Sequence, residues 1–263
     1  MDSNLPQLPI SSETGDALAK PIAESVGNAG KDIVEAIFHY FLDPLRKFNI
    51  QRNFNLEKFQ EDLYKNFNDI PEANRDDSKI NLTIKAIEDL RYQINEEEIR
   101  DMFTTLITST LDNRKNSKVL PIFSTIISNM TSSEAKLLKV LYTNKLSLTP
   151  YVELTIVNKI SGVTNAPGLA LLLLDESNTQ GAELDLSLLE SENLIKHTTD
   201  SSLSSEYFVS RYETGERILS QIVDQNPDVS SLKINADQEI RFVRSIYELT
   251  PIGKVFCDIV FEQ

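Results

Sequence analysis

The spacing of apolar residues predicts helices over most of the first half of the chain. Apolar side chains recur at steps of three and four from Leu18 to Phe41, and Asp43-Pro44 is expected to end or kink that helix. Asn95 is expected to cap a later helix through its side chain. Helices with the same spacing are predicted at 56–67, 80–92, 99–111, 119–130 and 131–141. Because short polar turns join the last four, these segments are expected to pack as a helical bundle.

The second half has a less regular pattern, which predicts helices together with one strand. The segment 238–249 is rich in Ile, Phe, Val and Tyr and predicts a strand, whereas helices are predicted at 183–193, at 212–223 and from Thr250-Pro251 onward. The apolar run at 169–174 fits a buried strand and a buried helix equally well. The expected class is mainly α, with a flexible tail at 1–15, a helical domain at 16–145 and a smaller α+β domain at 146–263.

Composition and charge narrow the classes of protein to which the chain can belong. Its 263 residues are 40% hydrophobic and 25% charged, which is typical of a globular chain. With 26 Lys and Arg against 40 Asp and Glu, the net charge of −14 does not favour nucleic-acid binding. The N-terminus lacks the features of a signal peptide, and the apolar stretches are shorter than the roughly 20 residues of a membrane-spanning helix. The expected location is cytoplasmic.

The residue types that carry chemistry are few and scattered. Cys257 is the only cysteine, and with the two histidines, His39 and His197, it cannot complete a four-ligand nitrogen and sulfur site. Cys257 lies among apolar residues and is expected in the core, while His197 is expected to be exposed in a polar loop at 197–205. The segment 27–32 lacks the spacing and the hydroxyl residue of a phosphate-binding loop. No catalytic, cofactor-binding or metal-binding residue is therefore predicted, and no small-molecule substrate is evident.

One long segment carries a resemblance to a known family. In the stretch EEIRDMF, Glu97, Glu98, Arg100, Met102 and Phe103 match a recurring pattern. Further matches occur at Pro121, Phe123, Ile126, Glu134, Ala135 and Leu138. From roughly Asp16 to Tyr142 the chain resembles the bacterial abortive-infection alpha (Abi-alpha) family, although Leu120 stands where a histidine is common. The resemblance implies a role in phage defence through abortive infection.

The second half carries a different similarity. The stretches LDLSLLESENLIKH and YELTPIGKVFCDIVF are similar to parts of winged-helix domains. A DNA-reading helix carries Arg, Lys or Asn toward the bases, but the candidate helix here is acidic. Its acidic residues are Glu183, Asp185, Glu190 and Glu192. A winged-helix-like shape is therefore expected to serve contact with protein rather than with DNA.

Two groups of residues form the candidate interaction surface. They are Leu18, Ile22, Val26, Ile33, Ile37, Phe38 and Phe41 on the first predicted helix, and Thr104 and Thr108 on a later one. The polar face of the first helix mixes acidic and basic residues, which favours core packing or self-association over binding to anionic lipid. The sequence thus predicts a non-enzymatic interaction or regulatory protein of phage defence, whose partner is a host protein, a phage protein or a second copy. Peripheral membrane contact through the first helix and a winged-helix transcriptional regulator are the alternatives.

Overall fold

The structure, a computed structural model, describes residues 50–144, 148–174, 178–180, 182–199, 201–225 and 236–262. The predicted tail at 1–15, the stripe from Leu18 to Phe41 and His39 lie outside the described residues. Of the described residues, 50–132 and 258–262 form one compact unit, called here the helical unit. Those between 133 and 257 form a second, the sheet unit. The predicted domain boundary at 145/146 stays a prediction.

The helical unit consists of helices whose apolar stripes face a shared core. Its helices are α1 (Ile50–Asn68), α2 (Ile80–Leu90), α3 (Glu97–Thr110) and α4 (Ile122–Asn129), with short 3-10 turns at Glu72–Asn74 and Asn116–Lys118. Helix α3 packs against α1, α2 and α4. In α1 the side chains at steps of three and four, Leu56, Phe59, Leu63 and Phe67, are at most 1% exposed. Burying each such side chain contributes roughly 1.5–3 kcal/mol to the stability of the folded chain. The helices predicted in this unit are confirmed, because their apolar stripes pack into this core.

The start of α3 differs from the prediction. The expected cap at Asn95 was wrong, because α3 begins at Glu97 with Glu96 in the N-cap position and no side-chain cap hydrogen bond. Asn95 Oδ1 instead accepts a hydrogen bond of 3.0 Å from Asn55 Nδ2 of α1. Glu97 and Glu98 lie in the first turn, where negative charge stabilises the helix dipole.

The sheet unit is built on a five-stranded antiparallel sheet in the order β3-β2-β1-β5-β4. Its strands are β1 (Leu148–Asn158), β2 (Thr164–Leu173), β3 (Asn178–Gln180), β4 (Ile195–Thr198) and β5 (Gln238–Leu249). Its helices are α5 (Ser132–Thr143), α6 (Glu183–Ser191), α7 (Glu206–Gln225) and α8 (Pro251–Phe261); the unit boundaries fall within α5 and α8.

The core of the sheet unit lies between α7 and strands β1 and β2. Alternate residues of β1 and β2 point to one face, as the two-residue period of a strand requires. The resulting cluster contains Val152, Leu154, Ile156, Leu169, Leu171 and Leu173, packed with Tyr212 and Leu219 of α7. The side chains of α7 thereby cover the aliphatic face of the sheet.

These observations change the expected fold class. The strand predicted at 238–249 is confirmed, and the apolar run at 169–174 falls largely in strand β2. The class is α+β rather than mainly α, because β1, β3 and β4 also form and complete a sheet. Strands β3 and β4 have only three and four residues, too few to show a period of two in the sequence.

Candidate functional site

Helix α6 presents apolar side chains on both of its faces. Leu186 and Leu189 are 0% exposed and hold the helix onto the sheet unit, where it packs against β4. One turn apart on the outer side, Leu184 is 70% exposed and Leu188 is 38% exposed. Two leucines at i and i+4 share one side of a helix. We call the exposed Leu184 and Leu188, together with the acidic residues Glu183, Asp185 and Glu190 of the same helix, the α6 face.

The helix that carries the two exposed leucines also carries acidic side chains near both of its ends. Glu183 and Asp185 lie in the first turn of α6. The last turn of this helix carries no basic residue. Asp185 Oδ2 accepts a hydrogen bond of 2.5 Å from Ser133 Oγ of α5. Glu190 lies near the C-terminus, where the helix dipole disfavours negative charge, and its Oε1 accepts a hydrogen bond of 3.0 Å from the His197 amide. These bonds connect both ends of α6 to neighbouring elements.

His197 lies beside this helix in a strand, not in the exposed loop that the sequence predicted. That prediction was wrong: His197 belongs to β4 and is partly buried. Its ring stacks on Tyr247 with 4.3 Å between centroids and meets the edge of Tyr151 at 5.5 Å. Burial lowers the pKa of the imidazole below its ordinary value, against the opposing effect of Glu190. Burial also raises the pKa of Tyr247 to about 12.

The same histidine shares a hydrogen bond with a serine. His197 Nε2 lies 2.8 Å from Ser245 Oγ, which itself lies 3.5 Å from the carbonyl oxygen of Tyr151. Ser245 is only 1% exposed. A nucleophilic serine needs an accessible hydroxyl as well as a base, so this pair joins β4 to β5 and does not present a nucleophile to a substrate.

A second feature lies within the helical unit. A cavity of about 400 Å³ is formed by the last turn of α1, the second half of α3, the turn that follows α3, and Glu262. We call it the α1–α3 cavity. Thr108 of the predicted interaction surface lines it, and Thr104 does not. No pattern in the sequence predicts this cavity, because its walls come from three separate segments.

Comparison with known families decides to which of them the chain is related. The family described as abortive infection alpha matches residues 51–260. The chain belongs to this family. The match to abortive infection alpha thus extends through the sheet unit, beyond the segment 16–142 whose residues carry the resemblance in the sequence. Comparisons with curated proteins and with solved structures found no match.

The stretch EEIRDMF, which carries the resemblance to the abortive infection alpha family, places its apolar residues and Arg100 in the core of the helical unit, whereas Glu97 and Asp101 are exposed. Ile99 and Phe103 are 0% exposed, Met102 is 2% exposed and Arg100 is 3% exposed. The shared stretch therefore serves mainly the packing of α3. Arg100 differs from its apolar neighbours, because it is charged and its buried Nε has no hydrogen-bond partner within the described residues.

The remaining predicted residues have mixed outcomes. Leu18, Ile22, Val26, Ile33, Ile37, Phe38 and Phe41 lie outside the described residues. Thr104 is 3% exposed and donates a hydrogen bond of 2.9 Å to the Arg100 carbonyl, so its hydroxyl is turned to its own helix. Cys257 is buried, as predicted.

Two searches concern metal and membrane. Across the described ranges, no group of three or more His, Cys, Asp or Glu side chains is arranged to hold a metal ion. Among the helices within these ranges, none combines the length and apolar character needed to cross a membrane.

Proposed function

We propose that this member of the abortive infection alpha family defends bacteria against phage by binding a protein partner, without catalysing a reaction. The observation that carries the proposal is the α6 face, with Leu184 and Leu188 exposed on a helix whose two ends are hydrogen-bonded to neighbouring elements. Exposed apolar side chains within a polar rim are typical of surfaces that bind protein. The partner is a host protein, a phage protein or a second copy of the chain.

The order of elements supports protein contact over DNA reading. Along the chain, α6 is followed by β4, α7, β5 and α8, and β4 pairs antiparallel with β5. A helix followed by two paired strands and a closing helix is in line with the winged-helix similarity of the sequence, although α7 lies between the two strands. In a winged helix the position of α6 would be that of the helix that enters the major groove. Glu183 and Glu190 would there face phosphates of the same charge, whereas a protein surface of opposite charge would be attracted.

Phage challenge of a host that expresses the chain tests the proposal. We expect protection at low multiplicity of infection and collapse of the culture at high multiplicity. The double substitution Leu184→Ser with Leu188→Ser should abolish protection. Losing two apolar contacts that the partner buries costs about 2 kcal/mol of binding free energy, or about thirtyfold in partner affinity. Circular dichroism and thermal unfolding should show the variant folded as the wild type.

A matched pair in the same unit provides the control. Ile160 and Val163 are 80% and 65% exposed in the turn between β1 and β2. The double substitution Ile160→Ser with Val163→Ser should leave protection unchanged. Full protection by the α6 variant would reject the α6 face as the contact surface, and absence of protection by the wild type across a broad phage panel would reject the defence role.

A further inference from the structure

The α1–α3 cavity has walls that are held in place by bonds between loops. The turn after α3 and the loop after α1 form a bridge between Arg75 and Asp112. The Asn113 amide donates to the Asn74 carbonyl at 2.9 Å, and the Asp76 amide donates to the Leu111 carbonyl at 3.0 Å. A cavity of about 400 Å³ with fixed walls lies within the size range of preformed small-molecule sites.

One wall consists of hydroxyl groups that are left to accept hydrogen bonds. Thr105 Oγ1 donates to the Asp101 carbonyl at 3.1 Å, and Thr108 Oγ1 donates to the Thr104 carbonyl at 2.8 Å. Each hydroxyl has one proton and two lone pairs. Because the proton is already used within α3, the oxygen can offer only lone pairs to a molecule in the cavity. This wall therefore suits a ligand group that donates hydrogen bonds.

The charged side chains that line the cavity differ in how many hydrogen-bond and ion-pair partners they have. The Arg114 guanidinium binds both carboxylate oxygens of Asp112, with Nη2 2.6 Å from Oδ2, and holds the pKa of Asp112 below its ordinary value. That pair is internally neutral. Asp69 at the end of α1 is exposed, and within the described chain its carboxylate has no hydrogen bond or ion pair. Lys115 Nζ donates 2.9 Å to the uncharged carbonyl of Glu262.

The lining of the cavity thus includes the carboxylate of Asp69 and the ammonium group of Lys115. The carboxylate of Asp69, together with the hydroxyl oxygens of Thr105 and Thr108, suits an ammonium group. The ammonium of Lys115, which donates to an uncharged carbonyl oxygen, suits an anionic group. We propose that the α1–α3 cavity binds a small zwitterion, with its cationic end at Asp69 and its anionic end at Lys115. This inference is independent of the α6 face.

Binding of matched small molecules to the full chain tests the proposal. The probes are 4-aminobutyrate, which carries both charges, and butylamine and butyrate, which carry one each. Isothermal titration calorimetry should show 4-aminobutyrate binding about fivefold more tightly than either single-charge probe, since each exposed charge pair adds up to about 1 kcal/mol. Amide chemical shifts should change at Asn66–Ile70 and at 105–115, the segments that line the cavity.

Charge-removing variants with matched controls complete the test. Asp69→Asn and Lys115→Met should each weaken binding of 4-aminobutyrate about fivefold. Glu72→Gln and Lys118→Met remove equivalent charges in the same unit outside the cavity lining and should leave binding unchanged. Equal affinity for all three probes, unchanged binding by the cavity variants, or no binding up to about 10 mM would overturn the proposal.

Discussion

Three threonine hydroxyls of the helical unit and two side chains of the sheet unit differ in how far along the chain their hydrogen-bond partners lie. In α3, Thr104, Thr105 and Thr108 each donate to a carbonyl four residues earlier, within one turn of the same helix. In the sheet unit, Tyr212 of α7 donates to the Ser245 carbonyl at 2.7 Å, and Arg244 binds Glu216 at 2.7 Å. These three hydroxyls of the helical unit are thus satisfied within one helix, whereas Tyr212 and Arg244 of the sheet unit find partners 33 and 28 residues away.

The distribution of glycine follows the same division. The segment 50–132 contains no glycine, whereas the described glycines lie in the sheet unit. At two of them a neighbouring group occupies the space that a Cβ atom would fill. The sheet unit therefore depends on close packing at glycine, against backbone atoms at Gly253 and against side-chain atoms at Gly215.

The largest expected effect concerns the closest of these approaches. An added Cβ at Gly253 would lie 1.9 Å from the Leu194 carbonyl oxygen, which accepts a hydrogen bond of 3.0 Å from the Thr250 amide. Gly253→Ala should therefore lower the free energy of unfolding by about 3 kcal/mol. Urea unfolding followed by circular dichroism measures this loss.

Gly215→Ala is the control for the close approach. Its added Cβ would meet Val152 Cγ1 at 2.8 Å and Leu173 Cδ2 at 2.9 Å, which are side-chain atoms that can shift. The gain in helix propensity within α7 offsets part of the cost, so the net loss should be about 1 kcal/mol or less. Equal losses at the two glycines would contradict the importance of backbone contact at Gly253.

A smaller effect compares one substitution in both units. Arg244 makes two bonds to the Glu216 carboxylate, at 2.7 and 3.1 Å. Arg244→Met leaves Glu216 partly buried without this partner and should lower stability by about 1–3 kcal/mol. Arg100 has one bond of 3.2 Å to the Ile94 carbonyl and a 4.0 Å approach to Glu97. Arg100→Met removes a poorly satisfied buried charge and should leave stability unchanged or raise it by about 1 kcal/mol.

Chemical denaturation of both variants measures this difference. Arg100→Lys serves as the charge-retaining control and should not gain stability. If Arg100→Met lost as much stability as Arg244→Met, the guanidinium of Arg100 would be worth more to the helical unit than its described contacts indicate.

The smallest expected effect is a difference in acid sensitivity. The pKa of His197 is lowered from 6.5 by burial, so the unfolded chain binds a proton first as the pH falls. The sheet unit should therefore lose stability as the pH falls below 6.5. In the helical unit the pKa values of Asp76 and Asp112 are lowered from 3.8, mainly by hydrogen bonds from Ser78 and Arg114, so stability there should be lost only below about 3.8.

Urea titrations between pH 7.5 and 5, followed by NMR signals of Tyr247 and Ile107, separate the two units. His197→Phe keeps a ring against Tyr247 and removes the titrating group, so it should flatten the dependence of the sheet unit below pH 6.5. A wild-type sheet unit as stable at pH 5 as at pH 7.5 would contradict the assignment to His197.

Local signals explain which elements could be predicted. Helices α1 to α4 satisfy their backbone within each segment, so the spacing of residues such as Leu56 and Phe59 was sufficient to place them. Strand β1 was missed, although Thr155, Ile156 and Val157 give it β-branched residues typical of strands. Pro150 argues against a central strand, because proline cannot donate to a sheet.

Residue spacing and motifs were enough to predict the helices of the helical unit, the strand at 238–249, the buried Cys257 and the membership in the abortive infection alpha family. The sheet order, the position of His197 against Tyr247, the α6 face and the α1–α3 cavity emerge only in the folded chain. These features depend on contacts between residues that are far apart along the chain. A helical period repeats within one segment, whereas His197 meets Ser245 across 48 residues and Ser109 meets Ile259 across 150, and no local pattern records such contacts.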